Sequence, residues 1–137
     1  MKYLYEQSAR PEIYAGRAQE RKKHMPFIAT KTNVAITSDQ EAHLRRQLGD
    51  AITLLPGKTE QWLMLEFEDR RHMAFAGTTD ACAMVRVTVL GKQDPQSYER
   101  LTAKITEILA RELSIDPARI YVAYAETNNW GWSGNNF

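Results

Sequence analysis

Residues 25–34 read Met-Pro-Phe-Ile-Ala-Thr-Lys-Thr-Asn-Val, and they open the part of the chain that has the pattern of a folded domain. Proline is acceptable at the start of a strand, where a missing N–H need not interrupt the ladder. The pair Met25 and Pro26 also has a chemical consequence. An initiator methionine before proline is readily removed, which would leave the secondary amine of Pro26 as the terminus. Such an amine can act as a base, whereas an internal prolyl nitrogen is an amide and cannot.

Beyond this stretch, the chain has the order strand, helix, strand twice in succession, which predicts two βαβ units. The segments that close the two halves, 62–68 and 120–126, are similar extended runs. This similarity indicates an internal duplication. At 137 residues the chain suits a single domain with an appendage.

Two helices are predicted between these strands. The first begins at Ser38, whose hydroxyl can cap the first turn while Glu41 reaches back to it, and residues 56–57, Pro-Gly, end it. The second begins near residues 94–95, Asp-Pro, with proline where its missing N–H costs nothing, and residues 116–117, Asp-Pro, stop it. Their apolar faces carry Leu44, Leu48, Ala51, Ile52 and Leu55 in the first helix and Tyr98, Leu101, Ile105, Ile108, Leu109 and Leu113 in the second.

The alternation of residues in segments 62–68 and 83–90 indicates how the sheet is covered. One face is apolar, so that two helices could cover it, and carries Leu63, Leu65, Phe67, Val85, Val87 and Val89. The other face is mixed and carries Trp62, Met64, Glu66, Met84, Arg86 and Thr88. This second face is too polar to be covered by a further buried layer of the same chain, and too apolar to be fully exposed to water. It therefore indicates a contact between subunits. Base rates alone favour a two-fold dimer.

The overall composition excludes several classes of site and partner. Eighteen basic and seventeen acidic residues leave a net charge of +1, so the chain has no broad electrostatic footprint for nucleic acid or a membrane. The single cysteine, Cys82, cannot form an internal disulfide and agrees with a reducing compartment. His24, His43 and His72 have neither the spacing nor the neighbouring cysteines of a metal site. We assign no metal and no cofactor.

Three further segments combine with residues 25–34 to carry a resemblance to one family. They are Gly57-Lys58 before Trp62-Leu63-Met64, the run Phe75-Ala76-Gly77-Thr78-Thr79-Asp80-Ala81-Cys82-Ala83, and the ending from Arg119-Ile120-Tyr121 to Trp130-Gly131-Trp132-Ser133-Gly134. In order and spacing these segments resemble the macrophage migration inhibitory factor family and its bacterial relatives, from Met25 to Phe137. The resemblance implies an α+β tautomerase-like fold, in which two βαβ units form a four-stranded mixed sheet with two helices on one face. It also implies a homotrimer whose sheets surround a solvated channel.

The same resemblance implies an isomerase, a phenylpyruvate- or dopachrome-type keto–enol tautomerase, once Pro26 is a free terminus. Pro26 is then the general base. Lys58 and the backbone N–H of Leu90 hold the carboxylate of a small aromatic keto acid, and Tyr121 comes from the adjacent subunit. The sequence does not identify a protein receptor.

A base of this kind must be close to half-protonated at the working pH. Apolar walls and a neighbouring ammonium group both disfavour the charged form of the prolyl amine and so lower its pKa. Lys58 is the ammonium group. The candidates for the apolar walls are Phe27, Trp130, Trp132 and Phe137.

Each of these residues also has a simpler interpretation. Pro26 by itself would be an ordinary proline at a strand start, and Lys58 could be a solvated lysine after a helix-ending glycine. Tyr121 lies in a predicted strand, where tyrosine is favoured for packing. Trp130 and Trp132 could belong to the core, with partial burial satisfying both indole groups.

Two positions depart from the pattern of other members. Ala123 stands where vertebrate members have an asparagine, two residues after the site tyrosine. The change removes an amide that could bind a phenolic hydroxyl, so we expect an unsubstituted phenyl ring to fit better. Some relatives carry Cys-x-x-Cys, but Cys82 is followed by Ala83, Met84 and Val85. Thiol–disulfide chemistry within one chain is therefore excluded, and Cys82 is expected to be buried.

Residues 1–24 lie outside the resemblance. They are polar and show no strong periodicity, so we expect a removable or wrongly assigned extension with no place in the fold. Residues 20–23 have purine-rich codons available, which would permit a ribosome-binding sequence before Met25 and make Met25 the true start. Proteolysis could also remove the segment. If it is retained, Pro26 is an amide and the chain would be a non-catalytic cytokine-like or binding protein.

The sequence also predicts where the protein resides. Residues 1–7 lack the apolar stretch of a secretory signal, and no apolar run approaches the length of a membrane-spanning helix. We therefore expect a cytoplasmic protein, for which secretion would need a non-classical route.

Overall fold

The computed structural model describes residues 25–137. The predicted extension 1–24 lies outside the described residues. The chain forms four strands in one sheet and two helices: β1 (Pro26–Thr32), α1 (Ser38–Ala51), β2 (Met64–Glu68), β3 (Ala83–Leu90), α2 (Pro95–Leu113) and β4 (Ile120–Thr127). Two short strands follow, β5 (Gly131–Trp132) and β6 (Asn135–Asn136). Neither helix in this part of the chain is long and apolar enough to cross a membrane.

The sheet is mixed, and its strand order is β2-β1-β3-β4. The outer pairs β1–β2 and β3–β4 are parallel, whereas the central pair β1–β3 is antiparallel. Each half of the chain is therefore a βαβ unit, and the two units join through their first strands. The predicted four-stranded mixed sheet with two helices is confirmed.

One face of the sheet forms the core with both helices. Most residues of the predicted apolar faces are buried, whereas Leu63, Leu65, Phe67 and Tyr98 are partly buried against the core. The side chains with no exposed area include Ile28, Val85, Val87 and Val89 from the strands and Leu44, Leu48, Leu101, Ile105, Ile108 and Leu109 from the helices. Burying one such aliphatic side chain stabilises a fold by about 1.5–3 kcal/mol. This layer therefore supplies most of the free energy that holds the sheet and helices together.

Helix α1 begins at Ser38 as predicted, but its capping residue differs by one position. The cap is Thr37, whose hydroxyl accepts the N–H of Gln40 at 3.1 Å, while the Gln40 side chain accepts the N–H of Thr37 at 2.9 Å. The predicted cap of Ser38 with Glu41 is therefore wrong. Two hydroxyl residues stand side by side, and the extended backbone of Thr37 selects the first. The start of α2 is as predicted, because Asp94 accepts the N–H of Ser97 at 2.8 Å.

The other face of the sheet has no cover among residues 25–137. Across its middle, Glu66, Ala29, Arg86 and Ala123 lie side by side in neighbouring strands. Large side chains on this face are open to solvent, with Met64 67% exposed and Tyr121 60% exposed. We refer to it below as the uncovered face.

Two side chains from outside the loop between β2 and β3 hold its backbone. The amide of Asn33 donates to the oxygens of Thr79 and Asp80 and accepts the N–H of Cys82. The guanidinium of Arg119 donates hydrogen bonds to the backbone oxygens of Phe75, Thr78, Asp80 and Ala81. Cys82, at the end of this loop, is buried, and its backbone oxygen accepts the Thr32 hydroxyl at 2.7 Å. The loop therefore has a defined path with little regular secondary structure.

Candidate functional site

A cavity of about 590 Å³ lies against the start of β1. The residues that line it are mostly apolar or aromatic: Met25, Pro26, Phe27, Gln61, Trp62, Leu63, Met64, Trp130, Gly131 and Trp132. Its volume lies in the range of small-molecule pockets. Pro26 and three of the four predicted wall residues, Phe27, Trp130 and Trp132, are therefore brought together in one place.

The chain end forms one wall of this cavity through a small hairpin. Strands β5 and β6 are joined by Ser133 and Gly134, which both have positive φ angles of 52° and 85°, as a tight two-residue turn requires. The hairpin holds the Trp132 ring edge-on to that of Trp62, with centroids 5.3 Å apart. Phe137, the fourth predicted wall residue, does not line the cavity. Its N–H instead donates to the Trp130 oxygen at 3.1 Å and closes the hairpin.

Lys58 is buried, with 2% of its surface exposed. Its Nζ donates to the backbone oxygen of Leu90 at 3.0 Å, and among residues 25–137 no carboxylate forms an ion pair with it. Burial lowers the pKa of the Lys58 amine to about 8. The simple interpretation as a solvated lysine is therefore wrong. A buried ammonium group without a counter-ion is costly, and an anionic ligand would relieve that cost.

The backbone N–H of Leu90 already has an acceptor in the 137-residue chain. It donates to the carbonyl oxygen of Met25 at 3.1 Å, and Met25 is 3% exposed. The chain thus continues through Met25 into Pro26, whose nitrogen is an amide in this form. Both groups expected to hold a carboxylate therefore donate to the chain's own oxygens, the Leu90 N–H to Met25 and the Lys58 ammonium group, with one of its three N–H bonds, to Leu90, and neither residue lines the cavity.

Tyr121 and Ala123 lie elsewhere. Both are on β4, and neither lines the cavity. The cavity contacts β2 and the start of β1, and β3 lies between β1 and β4. The Tyr121 ring is on the uncovered face, where it contacts the ring of Phe75 with centroids 4.8 Å apart. Within one chain these two residues do not join the other predicted site residues.

Several cavity residues were not identified as site residues from the sequence. They are Met25, Gln61, Trp62, Leu63, Met64 and Gly131. The alternation rule assigned Trp62 to a strand, whereas it lies in a short 3₁₀ turn, Glu60–Trp62, and β2 begins two residues later. The parallel pairing of the first and second strands is a signal that could have found them. It places Met64 beside Phe27, and thus the preceding residues beside Pro26.

Comparison with known proteins places this geometry in context. The family model for macrophage migration inhibitory factor (MIF) matches residues 25–137. Macrophage migration inhibitory factor of Rattus norvegicus is 30% identical over 115 residues, which cover 82% of this chain and 99% of the relative.

Solved structures are also similar to this chain. The crystal structure of MIF2 from Leishmania major has 34% sequence identity and a TM-score of 0.79, and the match covers 83% of this chain and 98% of that one. The homologue from Prochlorococcus marinus has 25% identity and a TM-score of 0.74, with 81% and 98% covered.

Proposed function

The chain belongs to the macrophage migration inhibitory factor family, and from that premise we propose that it is a keto–enol tautomerase of phenylpyruvate-type 2-keto acids once Pro26 is its amino terminus. One observation carries the proposal. The buried ammonium group of Lys58, which has no carboxylate partner among residues 25–137, donates to Leu90 at the end of the sheet where Pro26 opens an aromatic-walled cavity.

The reaction moves one proton between two atoms of the substrate. The free amine of Pro26 removes a proton from the carbon beside the ketone carbonyl, and the carbonyl oxygen gains a proton, which yields the enol. A prolyl amine is normally too basic for this exchange at neutral pH. The aromatic walls, Phe27 and Trp132 among them, and the Lys58 ammonium group disfavour its protonated form. The amine is therefore available as a base near neutral pH.

The substrate carboxylate would bind at Leu90 and Lys58. In a chain that starts at Pro26, the Leu90 N–H has lost the Met25 carbonyl, and a buried donor without an acceptor costs about 1–3 kcal/mol. A carboxylate oxygen restores the hydrogen bond and also pairs with the Lys58 ammonium group. Hydrogen bonds to a charged acceptor are stronger than those to a neutral one. The aryl group then extends past Pro26 into the cavity.

Tyr121 and Ala123 complete the site only if a second copy of the chain supplies them. The uncovered face, which carries both residues, has the mixed character of a subunit contact. We therefore propose a homotrimer with sites between subunits, in which Tyr121 of one chain faces Pro26 of its neighbour. We further propose that no cofactor takes part and that the protein works in the cytoplasm.

The test uses a chain that begins at Pro26, with its terminus verified by mass. We expect it to catalyse enol formation from phenylpyruvate, followed by ultraviolet absorbance, and to act more slowly on pyruvate, which lacks the ring that fills the cavity. A correctly folded chain that is inactive on both would overturn the proposal. Equal activity on both would overturn the assignment of an aryl substrate.

A second candidate is a non-catalytic, cytokine-like or binding protein on the same scaffold. The observation that favours it is the occupied state of the site in the 137-residue chain, where the Met25 carbonyl accepts the Leu90 N–H and Pro26 is an amide. Intact mass of the native protein discriminates the two candidates. A native chain that retains Met25 supports the binding protein.

A further inference from the structure

We propose that Met25 is an internal inhibitor of the substrate site: while it precedes Pro26, its carbonyl and its buried side chain occupy the place of the substrate carboxylate. The inference rests on the proposed function and adds to it. Loss of the prolyl base explains why an uncut chain lacks catalysis, but not whether it binds substrate. Occupancy by Met25 predicts that it does not.

The register of the sheet places Met25 at the carboxylate position. In the antiparallel pair β1–β3, Pro26 lies opposite Val89, so Met25 lies opposite Leu90. In such a pair, the N–H and the C=O of one residue point to the same neighbouring strand. Both backbone groups of Leu90 therefore face Met25. The N–H binds the Met25 oxygen at 3.1 Å.

Lys58 lies at the same end of the strand pair. Its Nζ bonds to the Leu90 oxygen at 3.0 Å, on the side of Leu90 that faces Met25. Both Met25 and Lys58 are almost completely buried. Removing Met25 would thus free one backbone donor and open space beside one ammonium group. Those are two donors for the two oxygens of a carboxylate.

The position of Met25 in the chain makes it an effective competitor. It is joined directly to Pro26, so its carbonyl is held at the Leu90 N–H at an effective concentration of roughly millimolar or more. A free keto acid must displace a group that cannot diffuse away. The 137-residue chain therefore lacks two things at once, a basic nitrogen and an empty carboxylate site.

Three chains separate these two effects. They begin at Met1, Met25 and Pro26, and the last two both have a free terminal amine. The chain from Met25 is prepared so that its methionine is retained, and all three termini are verified by mass. The probe is 3-phenylpropanoate, which has the carboxylate and the ring but no ketone to react. We expect the chain from Pro26 to bind it, and the other two to bind at least about tenfold more weakly, as the loss of one charge-assisted hydrogen bond predicts. Equal affinity of the chains from Met25 and Pro26, measured by calorimetry, overturns the inference.

Chemical labelling of Lys58 tests, without any measurement of catalysis, whether Met25 occupies the place of the substrate carboxylate. Reductive methylation, followed by mass spectrometry, should modify Lys58 at least about tenfold faster in the chain from Pro26 than in the chain from Met25. A buried amine reacts only when the structure around it unfolds locally, which is rare. Lys104, which is 45% exposed on α2, is the matched control and should react equally in both. Equal labelling of Lys58 overturns the inference. Faster labelling in an inactive chain supports the occupancy and leaves only the proposed function overturned.

A side-chain variant covers the case in which the shortened chain does not fold. In the 137-residue chain, Met25→Gly keeps the carbonyl and removes the buried side chain. We expect Lys58 to be labelled faster than in the parent, with Lys104 unchanged. No change at Lys58 would overturn the role of the Met25 side chain.

Discussion

The two places that hold the predicted site residues have opposite environments. At the start of β1, Met25 and Lys58 are buried, and the hydrogen-bonding groups of Leu90 are used by the chain itself. On the uncovered face, the Tyr121 ring stands in solvent beside Phe75. We propose that the first place, the closed half-site, admits a ligand only after the residues up to Met25 are removed. We propose that the second, the open half-site, is completed only by a neighbouring chain.

The largest effect concerns the closed half-site. A chain that begins at Pro26 should tautomerise phenylpyruvate about 10²–10⁴-fold faster than the 137-residue chain, because that is the usual contribution of a general base and an amide nitrogen has no basic lone pair. The measurement is kcat/KM for both forms, with the termini verified by mass. Comparable rates in the two forms would show that Pro26 is not the general base. The closed state of the first half-site would then have no bearing on catalysis.

The next effect concerns the ammonium group of the closed half-site. In the chain from Pro26, Lys58→Ala should raise KM for the keto acid about 10- to 100-fold, because a hydrogen bond to a charged group is lost. Lys104→Ala removes a solvated lysine of α2 and is the matched control. A KM that stays unchanged in Lys58→Ala would show that the buried amine does not contact the substrate.

The pH dependence of the same variant is a second, independent test of the role of the Lys58 ammonium group. Since the pKa of Lys58 is lowered to about 8, its amine is protonated below pH 8 and loses the proton above it. In the chain from Pro26 with Lys58 intact, carboxylate binding should therefore weaken as the pH rises through 8. In Lys58→Ala this loss of binding at alkaline pH should be absent. Removing the cation also raises the pKa of the Pro26 amine, so the acidic limb should move to higher pH. Identical profiles would contradict both statements.

A mixing experiment tests whether the two half-sites meet between chains. Lys58→Ala damages the closed half-site and Tyr121→Ala the open one, so each variant alone should be poorly active. After dissociation and random reassembly in equal amounts, each mixed trimer has one site that combines two undamaged halves, so about a quarter of all sites are intact. Activity should rise accordingly. If mixing restores nothing while mixed oligomers are seen by mass, the two halves do not form one site.

The smallest effect comes from the open half-site alone. We expect the chain from Pro26 to prefer phenylpyruvate to its para-hydroxylated analogue, because Ala123 offers no hydrogen bond to the hydroxyl. Ala123→Asn should narrow or reverse that preference by roughly two- to tenfold, which corresponds to one hydrogen bond between uncharged groups. Ratios of kcat/KM for both substrates on both variants decide the question. An unaltered ratio would place Ala123 outside the aryl pocket.

The fold was largely predictable because its signals are local. The apolar faces of both helices and the Asp94 cap of α2 depend on residues three or four positions apart. The structure has the cap and buries every predicted residue of the two faces except Tyr98, which is partly buried. The cap of α1 was placed one residue late, because Thr37 and Ser38 can both cap and only the backbone angles distinguish them.

The site was less predictable because its features join distant parts of the chain. Burial of Lys58 depends on packing that spacing alone does not reveal. The contact of Met25 with Leu90 follows from the register of two strands separated by some fifty residues, and the place of Gln61 in the cavity follows from the pairing of β1 with β2. The position of Tyr121 opposite a neighbouring chain stays a prediction.

The hydrogen bonds of Arg119 allow the loop between β2 and β3 to keep its backbone path when its side chains are substituted. The oxygens that the Arg119 guanidinium binds in the loop before β3 all belong to the main chain, at Phe75, Thr78, Asp80 and Ala81. Every amino acid provides such an oxygen, so substitutions at Thr78 or Asp80 leave the attachment points in place. The side chains of the loop can therefore change during evolution while its backbone keeps the same path, provided that Arg119 and Asn33, whose amide also bonds to this backbone, are kept.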